Sequence, residues 1–184
     1  MSYVESVLNG RLYAVHAPSS VPLFAALVRR VCWANHPRIP IVPSSCPVTK
    51  PNQPFVPPAP YPAQPSLGRF WFGTDRLWTA IPVSGTWSGL PHYTPTDPTY
   101  RQKLPFGRQG YDPHTEPLPD LTVTGRRIDG PAGPLQSDGR GNGSWTRDDQ
   151  FFIMTGINFP TLGCWEITGR YESDELTFVV WVAP

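Results

Sequence analysis

The sequence predicts an all-β fold, an immunoglobulin-like β-sandwich carrying a proline-rich extended N-terminal arm. Three observations lead to it. From Leu67 onward, short apolar runs rich in aromatic and β-branched residues are separated by turn residues, which is the pattern of strands. No window of about 11 residues keeps a 3.6-residue apolar period, so almost no helix is expected. The 25 prolines are unevenly spread, with 13 of them in residues 1–66. The chain therefore divides into an N-terminal segment 1–45, a proline-rich arm 46–66 and a sandwich domain 67–184.

In the arm, eight prolines fall between Pro47 and Pro65. Each removes a backbone donor and holds φ near the polyproline II value, so the stretch is extended and is neither helix nor central strand. Segment 1–45 fits neither a secretory signal nor a domain. Glu5 is acidic, the apolar stretch Val21 to Val28 is short and interrupted by Pro22, and Arg29 and Arg30 stand on its wrong side. It reads as a doubtful or disordered N-terminal segment, one explanation being a mis-assigned start or a degraded leader.

The expected strands are Arg69–Phe72, Leu77–Val83, Leu121–Asp129, Phe151–Asn158, Gly163–Tyr171 and Leu176–Val182. Between Pro91 and Pro119 the proline density excludes regular structure, and a long loop is expected there; such loops often carry function. The last two strands form a hairpin. Period-two alternation turns Trp165, Ile167, Phe178 and Val180 toward the core, where each large side chain contributes about 1.5–3 kcal/mol. Cys164, Val179 and Trp181 then face the other way and need a cover. The arm can supply it, fastened by a disulfide between Cys46 and Cys164, a bond that would constrain the unfolded chain by roughly 4–5 kcal/mol. Alternatively, Cys164 is a small buried apolar residue. Cys32 is left over, and no CxxC spacing or paired histidines suggest structural zinc.

The net charge of +1 divides into five Lys or Arg against one Glu in residues 1–66, and ten against thirteen acids beyond. The folded part lacks the basic footprint of a nucleic-acid binder. No apolar run approaches the roughly 20 residues of a membrane helix.

At GINFPTLGCWEITGRYESDELTFVVWV, residues 156–182, the chain resembles the C-terminal signature of uncharacterised bacterial proteins of exported or lipoprotein-like type, with a GCWE run followed by LTFVV. The likeness extends through LTVTGRRIDGP, LPHYTPTDPTYRQKL, FWFGTDRLWTAIPVSGTW and CPVTKPNQPFVPPAPYP, covering about residues 46–184. The resemblance implies a cell-envelope or secreted location and a mature chain starting near Cys46. It implies no activity. Lipidation of Cys46 is a further option, but Pro43 fits the motif preceding a lipidated cysteine poorly.

Candidate chemistry concentrates in the long loop. His92, His114, Glu116 and Asp120 can form a metal or acid–base cluster if they meet, and solvated loop residues if they do not. No nucleophile elbow is present. Asp138 to Asp149 approximates a calcium-loop frame, but Arg140 occupies a ligand position and position 12 is Asp, so a glycine-rich turn fits better. The metal candidates are thus His92, His114, Asp138 and Asp149. Asn142-Gly-Ser144 matches a glycosylation sequon, and such matches arise by accident in bacterial chains. Trp87, His92, Tyr93, Tyr100 and Tyr111 gather in or beside the loop as possible ligand-facing aromatics, or as a self-packed satellite core. The expected function is a non-catalytic binding or structural module of the cell envelope or exterior, with an envelope polymer or protein as partner and no cofactor. The alternative is a metal-dependent or acid–base enzyme with its site at 91–119, and a further one is a cytoplasmic protein with reduced thiols and a true N-terminal segment.

Overall fold

A computed structural model describes residues 4–8, 11–15, 40–52, 55–93, 96–138, 144–147 and 150–184. The chain forms two units, Met1–Ile39 and Pro40–Pro184. In the first, β1 (Val4–Leu8) pairs antiparallel with β2 (Arg11–Val15). Between them the sequence is Asn9-Gly10, the dipeptide most favoured in two-residue hairpin loops. Sequence patterning assigns no strand there because the flanking runs are short and only partly apolar.

The second unit holds β3 (Arg69–Gly73), β4 (Trp78–Pro82), β5 (Thr86–Ser88), β6 (His92–Tyr93), β7 (Asp97–Gly107), β8 (Leu121–Arg127), β9 (Gln136–Ser137), β10 (Ser144–Arg147), β11 (Gln150–Phe159), β12 (Gly163–Tyr171) and β13 (Asp174–Ala183). One sheet runs β10-β11-β7-β4-β3, with β6 beside β7 and β9 beside β11; the other runs β5-β13-β12-β8. Neighbours are antiparallel except β5 and β13, which are parallel. The described residues contain no helix.

The two sheets bury their inner faces against each other, a β-sandwich. Leu104 and Phe106 of β7 and Ile153, Ile157 and Phe159 of β11 meet Trp165, Ile167, Phe178 and Val180 of the opposite sheet, all nearly or fully inaccessible to water. The Phe159 and Trp165 rings touch across the interface at 5.3 Å between centroids. At Gly169 the sheets come so close that a Cβ would lie 2.5 Å from the Phe106 ring. In the terminal hairpin Trp165 pairs with Val180 and Ile167 with Phe178, as period-two alternation requires.

All six expected strands form, with ends shifted by one or two residues. The expectation that residues 91–119 are irregular is overturned by β6 and by the 11-residue β7. Both prolines within β7 sit where a missing N–H costs no ladder bond. Pro98 precedes the ladder with β11, which begins at Tyr100, and on the β6 side it falls in the bulge between the Tyr93–Asp97 and His92–Tyr100 pairs. Pro105 turns its carbonyl toward β4, where it accepts a hydrogen bond from Thr79 Oγ1 at 2.7 Å, beyond the two-residue ladder that β4 and β7 share. The second half of the stretch, from Arg108 to Pro119, lies outside any strand, as expected.

Candidate functional site

The residues singled out in the 91–119 stretch do not form one site. Trp87 and Tyr111 are 4% exposed each and belong to the main core, so neither is a ligand-facing ring; Trp87 packs on Phe159 and Phe178. They join the principal core, not a satellite cluster. Tyr100 is half-buried against the same core. Exposed His92 stacks on Tyr100, centroids 4.2 Å apart, with Nε2 3.0 Å from the Pro98 carbonyl, while Tyr93 pairs through its backbone with Asp97.

The four-residue cluster is likewise dispersed. His114 sits edge-on to Phe151, near the start of β11, whereas Tyr100 of the His92–Tyr100 stack pairs with Phe159 at the other end of that strand. Glu116 is engaged elsewhere, as described below. Asp138 is exposed, its backbone N–H bonded to the Gly156 carbonyl at 3.0 Å, and Asp149 and Asn142 lie outside the described residues. Among the described residues no group of three or more His, Cys, Asp or Glu side chains could hold a metal ion.

What the loop builds instead is a carboxylate lock. Asp112 starts a turn by accepting the His114 N–H on Oδ1 at 2.8 Å and the Glu116 N–H on its carbonyl at 2.9 Å. This turn aims Glu116 at the end of β12. There its Oε2 accepts from Arg108 Nη2 at 2.6 Å, and its Oε1 accepts from the Tyr171 hydroxyl. The Arg108 guanidinium also lies over the Tyr171 ring, 4.6 Å from its centroid, a cation–π contact. Burial, reinforced by the bond to Glu116, pushes the Tyr171 phenol up to about 12. Held protonated at neutral pH, that phenol is a donor and a poor general base. The geometry ties residues 108–116 to β12.

A second construction is a strap on the outer face of the smaller sheet. Cys46 and Cys164 are disulfide-bonded, with Cα atoms 5.6 Å apart and a separation of 118 positions in sequence. With Val42 and Val48, Cys46 covers Cys164, Ile128, Val179 and Trp181, the surface that alternation leaves bare. Thr49 then bonds the edge of β13 twice: its N–H donates to the Val179 carbonyl at 2.9 Å, and its Oγ1 accepts from the Val179 N–H at 2.8 Å. Val48 crosses directly over Gly85, whose φ of +71° and lack of Cβ make room for it. The base of the disulfide is held by Asp129, which accepts from Arg127 Nε at 2.7 Å and from the Cys164 N–H at 3.0 Å. Those bonds, Arg127's foremost, hold its carboxyl below the usual range although burial opposes them.

The strap does not end there. Residues 55–62 lie over the outer face of the larger sheet, where Trp71, Trp78, Ala80 and Phe152 are buried and Phe55, Tyr61 and Met154 pack against them. Tyr61 meets Trp78 edge-on at 5.0 Å and Phe152 at 5.2 Å. Phe55 reaches Trp78 at 6.1 Å. Three hydrogen bonds fix the segment: Trp71 Nε1 to the Pro62 carbonyl at 2.9 Å, Gln150 Nε2 to the Pro60 carbonyl at 3.3 Å, and the Tyr61 hydroxyl to the Phe151 carbonyl at 2.6 Å. Sequence reasoning misses this second cover. The signal was present in β3, where Trp71 alternates with Phe70 and Phe72, so both faces of an edge strand are aromatic and both need burial.

Comparison with protein-family models, with curated proteins and with solved structures finds no match to this chain.

Proposed function

We propose that the chain is a non-catalytic binding or structural module that works in the bacterial cell envelope or outside the cell. The observation that carries this reading is the buried Cys46–Cys164 bond, its two residues 5% and 0% exposed, which fastens an extended segment to the body of a small β-domain. Structural disulfides persist in oxidising compartments and are rare where thiols are kept reduced. The resemblance of residues 46–184 to exported or lipoprotein-like bacterial proteins points the same way. The bond also uses the Cys46 sulfur that a lipid anchor would require.

The strand order supports an immunoglobulin-like topology. Strands β4, β7, β11 and β10 take the places of A, B, E and D, while β8, β12 and β13 take those of C, F and G. The departure lies in the disulfide. In antibody domains it crosses the core between B and F; here it runs from the outer face of β12 to the strap. An envelope polymer or another protein is the class of partner such a module serves.

Fractionation of native cells tests the proposal. Protein recovered from the extracytoplasmic fraction and alkylated without reductant should show, by intact mass, Cys46 and Cys164 unmodified until the chain is unfolded and reduced. Recovery in the cytoplasmic fraction with both thiols alkylated would refute it.

A further inference from the structure

We propose that the outer face of the β10-β11-β7-β4-β3 sheet is a recognition surface for proline-rich peptides bearing an aromatic residue, occupied in this chain by its own residues 55–62. The inference names a partner class for the binding module proposed above and rests on that reading.

The surface has the chemistry of such a site. Trp71, Trp78 and Phe152 form a continuous aromatic floor, with the Trp71 and Phe152 rings near parallel at 17°. An outer sheet face needs no such floor unless something apolar lies on it. The occupant, Phe-Val-Pro-Pro-Ala-Pro-Tyr-Pro, is half proline. Its residues run without strand pairing from Phe55 to Pro58, then turn, the Tyr61 N–H donating to the Pro58 carbonyl at 3.2 Å.

The polar contacts match the ligand's backbone. A proline keeps its carbonyl but has no N–H, so a proline-rich segment cannot join a ladder and leaves its carbonyls to side-chain donors. The sheet supplies donors of that kind to two of them: the indole of Trp71 to Pro62 and the carboxamide of Gln150 to Pro60. Aromatic grooves that take proline-rich ligands exploit the low conformational entropy of the docked segment. Here the segment is tethered on both sides, by Thr49 on β13 and by Arg69 at the start of β3. Tethering by short linkers gives an effective concentration on the order of millimolar. A free peptide competes poorly with it until the internal contacts are weakened.

The test uses the full chain carrying Phe55→Ala and Tyr61→Ala, which removes the occupant's two rings and leaves the floor and the disulfide intact. The probe is a fluorescent synthetic copy of residues 52–66, followed by anisotropy. The doubly substituted chain should bind it at least about tenfold more tightly than the unmodified chain does. Adding Trp71→Phe, which keeps an aromatic ring but deletes the donor, should weaken that binding about fivefold. A doubly substituted chain that unfolds cooperatively yet binds no better than the unmodified one overturns the proposal, as does indifference to Trp71→Phe. If the double variant does not fold, the unmodified chain serves. A spin-labelled copy of the peptide at millimolar concentration should broaden the Trp71 indole N–H resonance, and no broadening overturns the proposal. Failure here with Cys46 and Cys164 oxidised would sink the peptide surface alone. Free thiols with peptide binding intact would sink the envelope location alone.

Discussion

Replacing Cys46 and Cys164 together by alanine probes the strap at its anchor. Alanine is chosen because serine would bury two hydroxyls where Cys46 and Cys164 are 5% and 0% exposed. The bond spans 118 residues. Releasing a loop of that size returns about 5 kcal/mol of chain entropy to the unfolded state at 25 °C, and observed effects fall below this because unfolded chains retain structure. A loss of roughly 3–5 kcal/mol is therefore expected. With a urea m-value of about 2 kcal/mol/M, the midpoint should fall by roughly 2 M. The m-value itself should rise, because the unfolded chain without its cross-link exposes more surface. The folded state should change little, since the two Thr49–Val179 hydrogen bonds and the Val48 contact remain. Equilibrium urea unfolding followed by tryptophan fluorescence, with the wild-type chain kept free of reductant, measures both quantities. A midpoint shift below about 0.5 M would mean that the cross-link does not govern the unfolded ensemble, and the argument from loop length would be wrong.

Two further substitutions test the contacts around the strap and the loop. Gly85→Ala sets a Cβ within 2.6 Å of Val48 at a φ of +71°, so it should cost about 1–3 kcal/mol, read as a lower thermal midpoint; no loss would show that Val48 does not cross there. Tyr171→Phe should delete a late-titrating phenol from the ultraviolet pH titration. Because the folded-state value, about 12, exceeds the ordinary 10.0, the group's contribution to stability is complete below pH 10 and is lost as pH rises toward 12. Alkaline unfolding should thus be less steep over that interval in the variant, and an identical profile would refute the assignment.

The parts of this fold that were legible in the sequence are those where local pattern and tertiary role coincide. Trp165, Ile167, Phe178 and Val180 alternate with outward residues in two adjoining strands, and the structure buries all four. The same alternation exposed Cys164, Val179 and Trp181 and so called for a cover, which Val42, Cys46 and Val48 provide. The part that was not legible is β7. Proline reads as a breaker in one dimension, and only the ladder shows that Pro98 and Pro105 fall outside the hydrogen bonds they would have broken. Strand β5 escapes for another reason: three residues carry no periodicity, and Thr86–Ser88 is ordered by parallel pairing with Trp181–Ala183, nearly a hundred residues away. In the candidate site, the aromatic gathering around Trp87 and Tyr111 was real but misassigned. Burial in the main core is a property of partners such as Phe159 and Phe178, which neighbouring residues do not reveal.

The two ends of the strap are held by different physics. Residues 46–49 are joined to the domain covalently and cannot leave without reduction. Residues 55–62 are held by two rings and three hydrogen bonds. Full burial of an aromatic ring contributes about 1.5–3 kcal/mol, and each hydrogen bond about 0.5–1.5 kcal/mol net. Ordering the four non-proline residues of the segment costs on the order of 1–2 kcal/mol each, and the prolines, already restricted, cost less. Lifting the segment would also return the Trp71, Trp78 and Phe152 rings to water, so the cover stabilises the sheet beneath it as well as itself. Because the disulfide anchors the proximal half, lifting bares one aromatic face and leaves the cover over Trp181 in place.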